Sequence, residues 1–202
     1  MHTTETDQLR DLLQNRSIRK GDFTLASGAK SNYYCDTKAT VQSPEGARLI
    51  GRALYDLAKG TGAEAVGGLA MGSVFLSTAV AYASAEAHAG DSASPLLYGF
   101  TVRKQAKDHG TARQIDESWF PEGTLLAPGR KVVVVDDVVT SAGSILQAID
   151  SIEEIGCEIV MVAAVVDRQA GGADRIRERG LRFESLYLCD TNGDLATSPA
   201  GA

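Results

Sequence analysis

Residues 131–144, KVVVVDDVVTSAGS, decide how this chain is read. Lys131 to Val135 are apolar enough for a short buried strand. Two adjacent carboxylates follow, Asp136 and Asp137. Then comes a turn of small residues, Thr140, Ser141, Ala142, Gly143 and Ser144, which opens a helix. Paired like charges at the end of a buried strand cost free energy unless a ligand or cation engages them. Small residues at a helix start turn several backbone N–H groups toward one point, which makes an anion site. Carboxylates for sugar hydroxyls beside amides for a phosphate describe a cradle for ribose 5-phosphate.

The flanking sequence alternates strands and helices. A helix is predicted over residues 6–18, with Leu9, Leu12, Leu13 and Ile18 on one face. Residues 22–40 read as a hairpin turning at 27–30. Ser43, Pro44 and Glu45 are a helix start: cap, first position and first-turn acid. That helix carries Leu49, Ile50, Ala53, Leu54 and Leu57 and stops at Gly60. Strands are predicted at 65–69, 96–103, 158–167 and 182–189, and helices at 74–88, 144–155 and 173–179. Residues 104–130 show no clear period and hold Pro121 and Pro128, so a long functional loop is expected. The pattern predicts an α/β fold with a mostly parallel central sheet flanked by helices. In such sheets ligands sit beyond the carboxyl ends of the strands. Residues 70–73, Arg103, Asp136 to Ser144 and Arg168 all fall there.

Composition sets the outer bounds. The 202 residues suffice for one domain, 44% are hydrophobic and 23% charged, and the net charge is −6. A soluble, cytoplasmic protein with no nucleic-acid or membrane partner is expected. Three widely spaced cysteines, Cys35, Cys157 and Cys189, fit neither a disulfide framework nor a zinc site. Against the acidic background, residues 101–115 concentrate Arg103, Lys104, Lys107 and Arg113 against Asp108. A solvated surface loop is the usual fate of such a run.

Residues 131–144 resemble the phosphoribosyl-diphosphate (PRPP) motif of type I phosphoribosyltransferases. Other segments resemble the orotate phosphoribosyltransferases of that family: FTLASGAKSNYYCD (23–36) its N-terminal hood, VRKQAKDHG (102–110) its catalytic loop, and DRQAGG (167–172) its base-site segment. The resemblance implies the type I phosphoribosyltransferase fold in one domain. Residues 1–42 would form a hood of helix and short strands, 43–190 the PRPP-binding core, and 191–202 a flexible tail. It implies transfer of ribose 5-phosphate from PRPP to orotate, with Mg2+ held mainly through PRPP and no dedicated protein metal site. Arg103, Lys107 and His109 would stabilise the diphosphate, and Asp136 and Asp137 would hold the ribose. Lys104, Met71 and Gly72 would line the diphosphate site. Thr140, Ser141, Ala142, Gly143 and Ser144 would grip the 5′-phosphate, Val138 and Val139 would belong to the same substrate-binding stretch, and Tyr34, Cys35 and Arg168 would bind the base. A homodimer sharing the loop from Arg103 to His109 across its interface is also implied.

The chain departs from the family pattern at Ala26, a frequent lysine position, at Met71, a frequent basic position, and at Ala142, a usual glycine. Alanine at 142 strains the turn if its φ is positive. Three rivals stand beside this reading. One is a phosphoribosyltransferase for another nucleobase. A second is a PRPP-sensing regulator without turnover. The third, a flavodoxin-like binding module, leaves the paired acids unexplained.

Overall fold

The computed structural model describes residues 3–24, 28, 30–104, 115–117, 119–120 and 123–201. The elements are α1 (Thr3–Ser17), β1 (Ile18–Thr24), β2 (Lys30–Cys35), α2 (Lys38–Val41), α3 (Pro44–Ala58) and β3 (Ala65–Leu69). They continue with α4 (Gly72–Gly90), β4 (Tyr98–Val102), β5 (Ile115–Glu117), β6 (Trp119–Phe120), β7 (Gly123–Thr124) and β8 (Lys131–Val139). The chain closes with α5 (Gly143–Ile155), β9 (Glu158–Asp167), α6 (Gly172–Glu178), β10 (Phe183–Cys189) and β11 (Leu195–Thr197). Seven strands form the main sheet in the order β11-β10-β9-β8-β3-β4-β5. The inner five are parallel, and an antiparallel strand closes each edge.

Strand alternation divides the core into two layers. Val133 and Val135 of β8, with Ala163 and Val165 of β9, pack under Leu9 and Leu13 of α1, Leu49 and Leu54 of α3, and Leu76 and Val80 of α4. Val132 and Val134, with Val162 and Ala164, face Ile145, Ile149 and Ile152 of α5 and Ile176 of α6. The hood hairpin pairs β1 with β2 from Ile18↔Cys35 to Thr24↔Lys30 as a separate two-stranded sheet, with Ile18 and Tyr33 packed into the core. Helix α3 starts as its sequence demands: Ser43 Oγ accepts from Gly46 N at 3.2 Å, with Pro44 at the first position.

Four expectations are corrected. The strand after Lys131 does not end at Val135. It runs to Val139, because the ten-residue β9 supplies parallel partners as far as Asp136↔Ala164 and Val139↔Asp167. Both acids therefore lie within a strand. The segment 104–130 contains β5, antiparallel to β4, and the small pair β6–β7. A short helix, α2, follows the hairpin. The C-terminal segment is no frayed tail: β11 pairs with β10 at Tyr187↔Thr197, Leu188↔Ala196 and Cys189↔Leu195, and Ser198 is buried. Edge pairing of three residues leaves little trace in sequence, since nothing but backbone bonding defines it.

Candidate active site

The two acids of β8 point to opposite sides, as neighbours on a strand must. Asp136 is buried beside the start of α5. Its Oδ2 accepts from Ser144 Oγ at 2.7 Å and its Oδ1 from the backbone N of Asp137 at 2.9 Å. Asp137 faces α2. Its Oδ1 accepts from Val138 N at 2.9 Å and its Oδ2 from Thr37 Oγ1 at 3.2 Å. The Lys38 ammonium stands 3.8 Å from Asp137 Oδ2 and 2.7 Å from Asp36 Oδ1. Burial first, and the Asp137 charge second, push the Asp136 carboxyl up to about 7, against the opposing bond from Ser144. Asp136 is thus the group of the two poised to hold a proton, as burial beside a like charge dictates.

Two helix starts flank this pair, and neither has a side-chain cap. Helix α5 begins after Ala142, whose φ of 62° is left-handed, so alanine sits where glycine is easiest. Helix α4 begins after Met71, which is 61% exposed. The first N–H groups of an uncapped helix have no partner within it and attract anions. The turn before α4 packs directly on the acids: a Cβ on Gly72 would lie 2.6 Å from Asp137 Oδ1 and 3.0 Å from Asp136 Oδ1. The turn before α5 is braced from behind. A Cβ on Gly172 would lie 2.3 Å from Thr140 O, and Arg175 Nη1 donates to Ser141 O at 2.5 Å.

Next to the turn before α5 lies a cleft of about 1250 Å³. Its walls include Phe23, Ser31, Tyr33 and Cys35 of the hood, Val138, Thr140 and Ser141 after the acids, and Arg168 and Gln169 after β9. Asp136 and Asp137 are not among its lining residues; they stand beside it on the strand that carries Val138. Arg168 does not pair with Asp167, whose Oδ1 accepts from Gln169 N at 2.8 Å. Its guanidinium instead donates to Tyr33 Oη at 2.8 Å and to Ser31 Oγ at 3.1 Å. Strand alternation turns Ser31, Tyr33 and Cys35 inward and leaves Tyr34 42% exposed, its ring 5.7 Å from that of Phe23. Tyr34 thus stands off the cleft, while Tyr33, Ser31 and Gln169, which lie in the hood and base-site segments but are not assigned to the base by the resemblance, line it. Period-two reading outward from Cys35 is the signal that finds Tyr33 and Ser31. Burial pushes the Cys35 thiol up to about 12, so it is no nucleophile at neutral pH.

Arg103, at the end of β4, pairs with Asp116 of β5. Lys104 is exposed, and its carbonyl accepts from Gln147 Nε2 of α5 at 3.2 Å. Ala26, Lys107, Asp108, His109 and Arg113 lie outside the described residues. Among the described residues no group of three or more His, Cys, Asp or Glu side chains is placed to hold a metal ion. No helix there is long and apolar enough to cross a membrane.

The phosphoribosyl transferase domain family matches residues 37–179. The orotate phosphoribosyltransferase of Rhodopirellula baltica is 39% identical over 181 residues, covering 87% of this chain and 87% of that relative. Among solved structures, the orotate phosphoribosyltransferase of Mycobacterium tuberculosis H37Rv in complex with Fe(III) dicitrate is similar with a TM-score of 0.74 at 34% identity. That match covers 91% of this chain and 95% of the other. The same enzyme in complex with PRPP gives a TM-score of 0.70 at 28% identity, over 93% and 90%. The mostly parallel sheet with helices on both faces is the type I phosphoribosyltransferase fold. By family match and by identity over most of its length, this chain belongs to the phosphoribosyltransferase family, among the orotate phosphoribosyltransferases.

Proposed function

We propose that the protein catalyses the reaction of orotate with PRPP to give orotidine 5′-monophosphate and diphosphate, a step of pyrimidine nucleotide synthesis. One observation carries this reading: two uncapped helix starts stand on either side of an acid pair at the carboxyl edge of the sheet. PRPP has the complementary form, anionic at both ends with sugar hydroxyls between. The solved relative in complex with PRPP supports the choice.

The 5′-phosphate is assigned to the amides and hydroxyls of Thr140 to Ser144, with Val138 and Val139 leading into them. The ribose hydroxyls are assigned to Asp136 and Asp137. A carboxyl near neutrality, as Asp136 is, can give or take a hydrogen bond there. The diphosphate is assigned to the turn at Met71 and Gly72, with Arg103, Lys104, Lys107 and His109 as the groups that would balance its charge. Orotate is assigned to the cleft between hood and Arg168. As the C1–oxygen bond breaks, diphosphate leaves with the electron pair. Orotate N1, its proton given up to water, forms the new bond to C1. Positive charge spreads over the ribose ring while negative charge grows on the leaving group, so fixed cations act chiefly in the transition state.

Magnesium fits this donor set as a companion of the substrate. All four oxygens of Asp136 and Asp137 already accept a hydrogen bond, which leaves most of the ion's shell to PRPP and water. When bound it neutralises charge on the diphosphate. We further assign a homodimer in which the loop after Arg103 serves the neighbouring cleft. The exposed Tyr82, Leu96 and Tyr98 offer apolar surface to a second copy. Three free cysteines suit a reducing cytoplasm.

The test follows orotate optically with PRPP and magnesium, omitting each in turn, and repeats it with uracil, adenine and hypoxanthine. Turnover that needs all three components and is confined to orotate is the expected result. Turnover of a purine would reassign the base. PRPP binding with no diphosphate release from any base would make the protein a regulator.

A further inference from the structure

A guanidinium presents two edges to planar acceptors, one formed by Nε and Nη2, the other by Nη1 and Nη2. In Arg168 the first edge is occupied. Nε donates to Tyr33 Oη at 2.8 Å and Nη2 to Ser31 Oγ at 3.1 Å. The Ser31 hydroxyl donates its own proton to Tyr33 O at 2.6 Å, so its lone pairs are left for Arg168. The Tyr33 ring lies under the guanidinium, 4.2 Å from Cζ to the ring centre. Tyr33 cannot recede. It is 3% exposed, and the turn behind it comes so near that a Cβ on Gly193 would lie 2.8 Å from Tyr33 Cγ. Burial pushes the Tyr33 hydroxyl up to about 12, so it stays neutral at working pH.

These contacts all come from neutral groups. They orient the cation without cancelling its charge, which a carboxylate partner would do. Among the described residues no acid pairs with Arg168, although Asp167 is its neighbour in sequence. The remaining edge belongs to a residue that lines the cleft. We propose that Tyr33, assisted by Ser31, is a positioning residue: it holds Arg168 so that the free Nη1/Nη2 edge meets the carboxylate of the base. Recognition of the base then requires the hood to be docked on the sheet, because one half of the device sits on β2 and the other after β9. This inference rests on the assignment of the cleft to orotate.

Tyr33→Phe keeps the ring, its burial and its stacking, and deletes one acceptor. Ser31→Ala deletes the other. Each variant is expected to raise the KM for orotate, about ten- to a hundredfold for Tyr33→Phe, as loss of a hydrogen bond to a charged group implies. The KM for PRPP and the melting temperature stay near wild type. In an Arg168→Ala background, Tyr33→Phe adds nothing, because no guanidinium remains to orient. An unchanged orotate KM in both single variants would overturn the inference. So would an equal rise for PRPP, or a full additional loss in the Arg168→Ala background. Wild-type protein that ignores orotate would overturn it together with the functional reading. Wild-type turnover with silent variants would overturn this inference alone.

Discussion

Asp136 shows how a single residue can trade stability for binding. Its carboxyl is raised from 3.8 to about 7, chiefly by burial. The folded protein therefore holds this proton more tightly than the unfolded chain does. Stability falls as pH rises from about 4 to about 7 and stays reduced above that. Asp136→Asn removes the buried charge while keeping the shape. Without ligand it should melt above wild type at pH 8, by on the order of 1–3 kcal/mol, and the gap should close near pH 4. Thermal unfolding at the two pH values checks this, and a variant less stable than wild type at pH 8 would contradict it. The same variant should bind PRPP more weakly. Lys107, known here through its family resemblance, belongs to the same scale. Lys107→Ala should lose roughly 10²–10³ in turnover, the usual scale for one charge-stabilising donor, with a smaller loss in PRPP affinity. Near-normal turnover would remove the loop from the mechanism.

At the scale of elements, the site is made where helix starts meet a strand. Helices α4 and α5 both begin without a side-chain cap, whereas α3, which supplies none of the cleft's lining residues, is capped by Ser43. An uncapped start weakens a helix by about 1 kcal/mol and leaves N–H groups for a ligand. The approach of the α4 turn to β8 depends on Gly72 having no side chain. Gly72→Ala must displace an Asp137 carboxylate that Val138 N and Thr37 Oγ1 hold in place. A loss of about 1–3 kcal/mol in stability is expected, together with a raised KM for PRPP. Gly143→Ala has nothing within 4 Å of the added carbon and should cost far less in unfolding experiments. Equal melting temperatures for the two variants would refute the close approach.

At the scale of the molecule, the C-terminal segment ties the hood to the sheet. Leu195 N donates to Gln14 Oε1 at 2.8 Å and Gln14 Nε2 to Gly193 O at 2.9 Å, while Thr6 Oγ1 donates to Gly201 O at 3.3 Å. Removing residues 191–202 should lower the melting temperature by several degrees and speed hydrogen exchange in α1 and β1. Unchanged exchange there would show that the hood docks without it. None of these ties is visible in sequence, for the partners lie far apart along the chain. What could be read there was local. The apolar runs of β8 and β9, the Ser43-Pro44 helix start and the acids followed by small residues each express themselves within a few neighbouring positions. Those signals sufficed for the α/β class, the two-sided core and the resemblance in the PRPP motif. The edge strands β5 and β11, the length of β8, the left-handed Ala142 and the choice of Tyr33 over Tyr34 required the folded chain. Arg168 and Tyr33 are 135 residues apart. Only the packing of hood on sheet brings them together, because hydrogen bonding and burial act through distance in space, and sequence spacing does not encode that distance.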